Sequence, residues 1–178
     1  MTVVFTDVEG STEMLERLGE ERWLEVMRDH NRLVRERVYA HDGVVVKSQG
    51  DGFMLIFASA SAALASAVEL QEVFSVYSAR HADQPLRVRI GLHTGNVFQE
   101  RDDFLGKTVV VAARITGRAR GGEVLVSGAL KDYTEHVAKW RFGPPSNVSL
   151  KGLTSPQRVH SVYWGAESQW RPVVDRSS

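Results

Sequence analysis

The stretch FTDVEGST, residues 5–12, ends an apolar run in a carboxylate, Asp7, then passes through Val8, Glu9 and Gly10 into Ser11 and Thr12. A carboxylate at a strand tip can face a cation. The N-terminus of a following helix offers unpaired backbone N–H groups to phosphate. The same residue types also make ordinary caps and turns. Choosing between a turn and a metal–phosphate site requires a second carboxylate brought to the same place. Asp51, in KSQGDGF, is the candidate, 44 positions further on. Taken alone, Gly-Asp-Gly is also good hairpin-turn chemistry. Together, two carboxylates with phosphate and water oxygens suit Mg²⁺ or Mn²⁺, which prefer oxygen ligands.

The elements that must position these residues are legible in the pattern. Residues 2–7 read as a strand; residues 11–18 and 20–41 read as helix broken near Gly19, with Trp23, Met27, Val34 and Val38 on one face. GVVVKSQGDGFMLIF reads as a hairpin, with strands near 43–48 and 52–57 and a turn from Gln49 to Gly52. Residues 59–80 read as a helix with Ala63, Ala67, Leu70, Phe74 and Tyr77 on one stripe. LRVRIGLHTGNVF alternates as a strand bent at Gly95, GKTVVVAARITGRAR reads as a helix stopped by Gly121-Gly122, and EVLVS reads as a strand. A short helix at 128–133 and strands near 137–143 and 158–164 complete the expectation.

The order strand, helix, strand, strand, helix, strand is that of a split βαβ, ferredoxin-like α/β core, here with additional C-terminal strands and a short helix. In that topology the first strand lies antiparallel beside the third, and the first and second point the same way. The end of the first strand and the turn joining the second and third then share one edge. Asp7 and Asp51 are expected there together.

Composition narrows the function classes. The chain has 178 residues, enough for one domain with a sizeable core. Lys plus Arg equals Asp plus Glu at 22 each, so no global basic field argues for nucleic acid or an anionic membrane. The absence of cysteine excludes disulfides and thiolate metal sites and fits a reducing compartment, which reads as cytoplasmic. No apolar run approaches the roughly 20 residues of a membrane span. The six His have no metal-binding spacing and are assigned no ligand role; His93 reads as structural.

FTDVEGST, KSQGDGF, RIGLHTGNV, DFLGKTVVVAARI and LKG, in this order, resemble the motifs of the class III nucleotidyl cyclase catalytic domain, especially the bacterial adenylyl cyclases. The resemblance covers about residues 2–163, so a catalytic domain over 1–164 and a C-terminal tail over 165–178 are expected. It implies that Asp7 and Asp51 bind two metal ions per site, Mg²⁺ or Mn²⁺, with the Val8 carbonyl as a further ligand. It also implies that the amides of Val8, Glu9, Gly10, Ser11 and Thr12 cradle the triphosphate. Lys47 and Asp103 resemble the adenine readers, Arg114 the arginine that stabilises charge at the transferring phosphate, and Lys151 a lysine on the terminal phosphates. The residues alone leave plainer readings open: Lys47 as a solvated strand residue, Asp103 in an exposed acidic loop, Arg114 as one of several surface arginines, Lys151 as turn composition.

One position departs from the family pattern. An Asn that orients the ribose usually stands four residues before the arginine; here it is Val110, which has no side-chain donor. A slow enzyme is expected, or a cyclase homologue that binds nucleotide as a regulatory module without turnover. A palm-type relative such as a diguanylate cyclase would share the paired aspartates, but the GGDEF signature is absent. The implied activity is conversion of ATP to 3′,5′-cyclic AMP and pyrophosphate. In the family the metal aspartates come from one chain and the base-reading and transition-state residues from the other. A single chain carrying both sets implies a homodimer with two shared active sites.

Overall fold

The computed structural model describes residues 1–137 and 139–165. The chain opens with β1 (Thr2–Val8), α1 (Ser11–Leu18), α2 (Glu20–Ala40), β2 (Val44–Gln49), β3 (Gly52–Phe57), α3 (Ala60–Arg80) and β4 (Val88–Thr94). A two-stranded ribbon of β5 (Phe98–Glu100) and β6 (Asp103–Leu105) leads into α4 (Lys107–Thr116). There follow β7 (Val124–Ser127), α5 (Gly128–Thr134), β8 (Arg141–Phe142), β9 (Ser146–Val148) and β10 (Gln157–Tyr163). The main sheet runs β2-β3-β1-β4-β7-β10-β8, with β9 paired to β10. Its first four members have the ferredoxin-like order, and β1 is antiparallel to both β3 and β4.

Period-two alternation in the strands separates two faces. Val4, Leu55 and Phe57 pack with Val34, Val38, Leu64 and Phe74 of α2 and α3. On the other face Val3, Met54 and Ile56 meet Ala112 of α4. The predicted stripe of α3 is buried along its whole length. α3 starts at Ser59, whose hydroxyl accepts from the Ala62 N–H at 3.3 Å, as an N-cap should. His93 is structural: its Nδ1 lies 2.7 Å from Ser127 Oγ, and burial, reinforced by Lys107, pushes its pKa down to about 4.

Four elements differ from the sequence reading. α4 ends at Thr116 with Gly117 as its C-cap, not at Gly121-Gly122, which lie in the turn before β7. Among the described residues of the strand expected over 137–143, only the two of β8 form a strand, residue 138 lying outside the described residues. β9 and the β5–β6 ribbon were not anticipated. Asp103 therefore lies in a strand, opposite Glu100, rather than in a loop. Beyond Gly165 the expected tail lies outside the described residues. Among the described residues no helix is long and apolar enough to cross a membrane.

Candidate active site

The β1–β3 ladder ends at Thr6 opposite Phe53, so Asp7 is the next residue at the edge where β2 turns into β3. Two contacts hold this corner. The Phe53 N–H donates to Thr6 Oγ1 at 3.2 Å, and a Cβ at Gly52 would lie 2.7 Å from the Thr6 carbonyl oxygen. Only glycine allows so close an approach. Asp51 occupies the short turn between Gln49 and Gly52, half-buried at the same edge. The fold thus carries both aspartates to one corner of the sheet, as the topology predicts.

Asp7 has a partner that the sequence reading missed. Arg89 of β4 stands directly opposite it in the β1–β4 register, and its guanidinium pairs with the Asp7 carboxylate. Arg89 Nε is buried with no hydrogen-bond partner among the described residues. Asp7 and Arg89 line an open cavity of about 280 Å³ together with Gln49, Phe53, Met54 and Thr116. The signal for Arg89 was available: in LRVRIGLH, Val88, Ile90 and Leu92 are buried toward the core, so Arg89 must face the other way. Its partner could be named only once β4 was known to lie beside β1.

The turn after β1 leads straight into α1. Val8 is buried, and Gly10 takes φ 71° before the helix starts at Ser11. α1 has Gly10 as its N-cap and no side-chain cap, so no cap side chain accepts from the first-turn amides, those of Ser11 and Thr12 included. The Glu9 amide differs: it donates to the Arg87 carbonyl at 2.8 Å.

A second set of residues lies on β2, β6 and α4. Lys47 Nζ of β2 donates to Asp103 Oδ2 of β6 at 2.6 Å. The Lys47 hydrogen bond, aided by one from the Phe104 amide at 2.8 Å, holds the Asp103 pKa below its usual value. Arg114 is exposed in the last turn of α4, and Val110, also exposed, precedes it by one turn. Lys151 is exposed and follows Leu150, which packs with Val111 and Ile115 of α4. Within one chain Arg114 is not among the residues lining the Asp7–Arg89 cavity, whereas its neighbour Ala113 is.

The donor set at the first group is oxygen only. Among the described residues no cluster of three or more His, Cys, Asp and Glu could hold a metal ion. Two carboxylates and a carbonyl are too few to satisfy a hard dication alone. They suit one that arrives with phosphate oxygens completing its shell. The Asp7 carboxylate is already matched to positive charge, as its pairing with Arg89 demonstrates. The residues present fit a hard divalent cation bound together with phosphate oxygens.

Residues 1–164 match the model of the adenylate and guanylate cyclase catalytic domain. The chain belongs to that family. An uncharacterised protein of Mycobacterium tuberculosis is 38% identical over 136 residues, covering 74% of this chain and 44% of its own length. The chain therefore spans less than half of this relative. The crystal structure of the adenylyl cyclase CyaB from Pseudomonas aeruginosa superposes with a TM-score of 0.83 at 21% identity, over 95% of this chain and 96% of that one. A Trypanosoma brucei adenylate cyclase in its monomeric state gives 0.82 at 24% identity, over 97% and 91%. These two likenesses are of fold.

Proposed function

We propose that this chain is an adenylyl cyclase domain acting as a homodimer, converting ATP to cyclic AMP and pyrophosphate with Mg²⁺ or Mn²⁺. The observation that carries the reading is the sheet corner shared by Asp7 and Asp51, together with a separate Lys47–Asp103 contact, on one chain of this family. Asp7 and Asp51 lie at one sheet corner; Lys47 of β2 pairs with Asp103 of β6, and Arg114 stands in the last turn of α4.

The reaction is an in-line displacement. The ribose 3′ oxygen bonds to the α-phosphorus and loses its proton, the α–β bridging P–O bond breaks, and pyrophosphate leaves with the electron pair. Two divalent ions, when bound, lower the pKa of that hydroxyl and neutralise charge on the phosphates. Asp7, Asp51 and the Val8 carbonyl would hold them. The amides at the start of α1 receive phosphate oxygens, and Arg89, beside Asp7, supplies a further cation to them. Arg114 and Lys151 of the partner subunit complete the positive charge around the transferring and terminal phosphates.

Base choice rests on Lys47 and Asp103. Adenine offers a ring-nitrogen acceptor and an exocyclic amino donor, which match a lysine donor and a carboxylate acceptor. Their mutual contact at 2.6 Å holds both in place before a base arrives. Guanine reverses that edge. Incubating the protein with ATP or GTP and Mn²⁺ and separating the products by chromatography tests the reading: cyclic AMP from ATP is expected, and preferential formation of cyclic GMP from GTP would overturn the assignment. In Lys47→Glu/Asp103→Ser the ratio of kcat/KM for ATP over GTP should fall at least about tenfold. An unchanged ratio rejects these residues as base readers.

Val110 favours a second reading, a nucleotide-binding module with little turnover. It is 44% exposed and can donate nothing to a ribose or phosphate oxygen near Arg114. A preorganised donor lost from a transition state costs on the order of 10²-fold. Val110→Asn should raise kcat about tenfold, the smaller factor reflecting a donor set in a site not shaped for it. KM for ATP should move less. A flat or lower kcat would mean that another group already fills this role.

A further inference from the structure

Glu9 presents a contradiction. It lies inside the turn that is to receive a triphosphate, and an unpaired carboxylate there would repel the ligand. The structure turns the charge aside. Glu9 Oε1 accepts from the Gly121 N–H at 3.0 Å, and Oε2 lies 3.4 Å from Arg87 Nε. Arg87 Nη2 donates in turn to the Gly121 carbonyl at 3.2 Å, and the Arg87 carbonyl accepts the Glu9 amide. The three residues close a ring of contacts between the β1–α1 turn, the start of β4 and the loop after α4.

The far side of this ring is fixed. The Gly122 N–H donates to the Val88 carbonyl at 2.9 Å, and the Ile90 N–H to the Glu123 carbonyl at 3.1 Å. The buried Gln71 side chain reaches both of those carbonyls, at 2.8 and 3.1 Å. Gly121 itself has no room for a side chain: a Cβ would lie 2.6 Å from Glu9 Oε2 and from the Arg87 Cβ. A surface ion pair as exposed as that of Glu9 and Arg87 is worth little by itself. A charged acceptor on a backbone N–H anchored to the sheet is stronger and has direction.

We propose that Glu9 is a positioning residue: its carboxylate clasps Gly121 and Arg87, and so holds the turn from Val8 to Thr12 in the shape that binds metal and phosphate. Glu9 acts through the backbone of that turn and touches no substrate atom. The inference rests on the cyclase reading for what the turn binds, but the clasp can be tested apart from it. The same clasp joins the Asp7 turn to the loop following the helix of Arg114. Those two elements serve different active sites of the proposed dimer.

The test compares Glu9→Ala with Glu9→Gln, whose amide oxygen keeps an acceptor for the Gly121 N–H. Glu9→Ala should raise KM for ATP with Mn²⁺ about tenfold and leave kcat within about twofold, while Glu9→Gln stays within about threefold of wild type in both. Amide hydrogen exchange over residues 8–14 should be faster in Glu9→Ala than in Glu9→Gln or wild type. Unchanged kinetics and exchange in Glu9→Ala would overturn the proposal. So would a Gln variant whose turn exchanges as fast as that of the Ala variant, because an acceptor for the Gly121 N–H would then not be what holds the turn. If the wild type makes no cyclic nucleotide, the cyclase reading fails, and the exchange comparison still decides the clasp.

Discussion

Asp7→Ala and Asp51→Ala should each lower turnover by at least about 10³-fold while leaving the fold intact. The expectation follows from geometry and chemistry together. Asp7 is the residue after the last β1–β3 ladder pair, and Asp51 lies in the turn beside it. In the proposed site each would supply a shared ligand where protein donors are few, so neither loss could be made up by the other. Folding should survive. Asp51 is absent from the non-glycine residues with positive φ, so alanine fits its backbone. Asp7 is partly exposed, and its pairing with Arg89 is of the kind that contributes about 1 kcal/mol or less. Thermal unfolding should therefore shift by only a few degrees. The measurement is cyclic nucleotide formation with saturating Mn²⁺, alongside Mn²⁺ binding in the presence of α,β-methylene-ATP. A folded variant with near wild-type activity would remove that aspartate from the metal site.

The aspartate corner was legible in the sequence because its determinants are strong and local. Short apolar runs marked β1 and β3, the Gly-rich turn marked the hairpin, and the βαββ order left one antiparallel arrangement for them. The stripe from Ala63 to Tyr77 is equally direct, since one side of a long helix must be buried. What escaped is what local pattern does not encode. β5 and β6 have three residues each and pair Phe98 with Leu105 on an exposed ribbon, so no core face imprints an alternation on them. β9 pairs through Ser146, Asn147 and Val148, residues that read as loop. Arg89 could be placed on the outward face of β4, but its partnership with Asp7 depends on a register between strands 82 positions apart. The Glu9 clasp to Gly121 spans 112 positions and belongs to the same class.

The roles of Lys47, Asp103, Arg114 and Lys151 came from resemblance, not from pattern. Of these, the contact between Lys47 and Asp103 is the one with a direct physical counterpart in the chain. Two opposite charges 56 positions apart, on an edge strand and a short ribbon strand, are brought into hydrogen-bond contact while both stay partly exposed. Surface stability gives little reason for such an arrangement. Recognition of a donor–acceptor edge gives a specific one.

Mixing Asp51→Ala with Arg114→Ala should restore about a quarter of wild-type activity from two inactive preparations. In the proposed dimer each site takes its aspartates from one chain and its arginine from the other. Neither homodimer has a complete site. A heterodimer has one site with both defects and one with neither. Random pairing of equal amounts makes half the dimers mixed, and half the sites in those are whole. The arrangement within one chain supports the expectation, because Arg114 is exposed on α4 and does not line the cavity of Asp7 and Arg89. Beside it the chain leaves apolar side chains to solvent: Phe98 is 73% exposed, Leu105 45% and Val110 44%. A second copy covering that face would bury them and bring its own Asp7 corner toward Arg114. Arg114→Ala removes no buried contact, so its inactivity would not come from misfolding. Subunit exchange must be demonstrated independently, for example by energy transfer between labelled protomers. Exchange without recovery would mean that each site is built within a single chain, with Arg114 acting elsewhere.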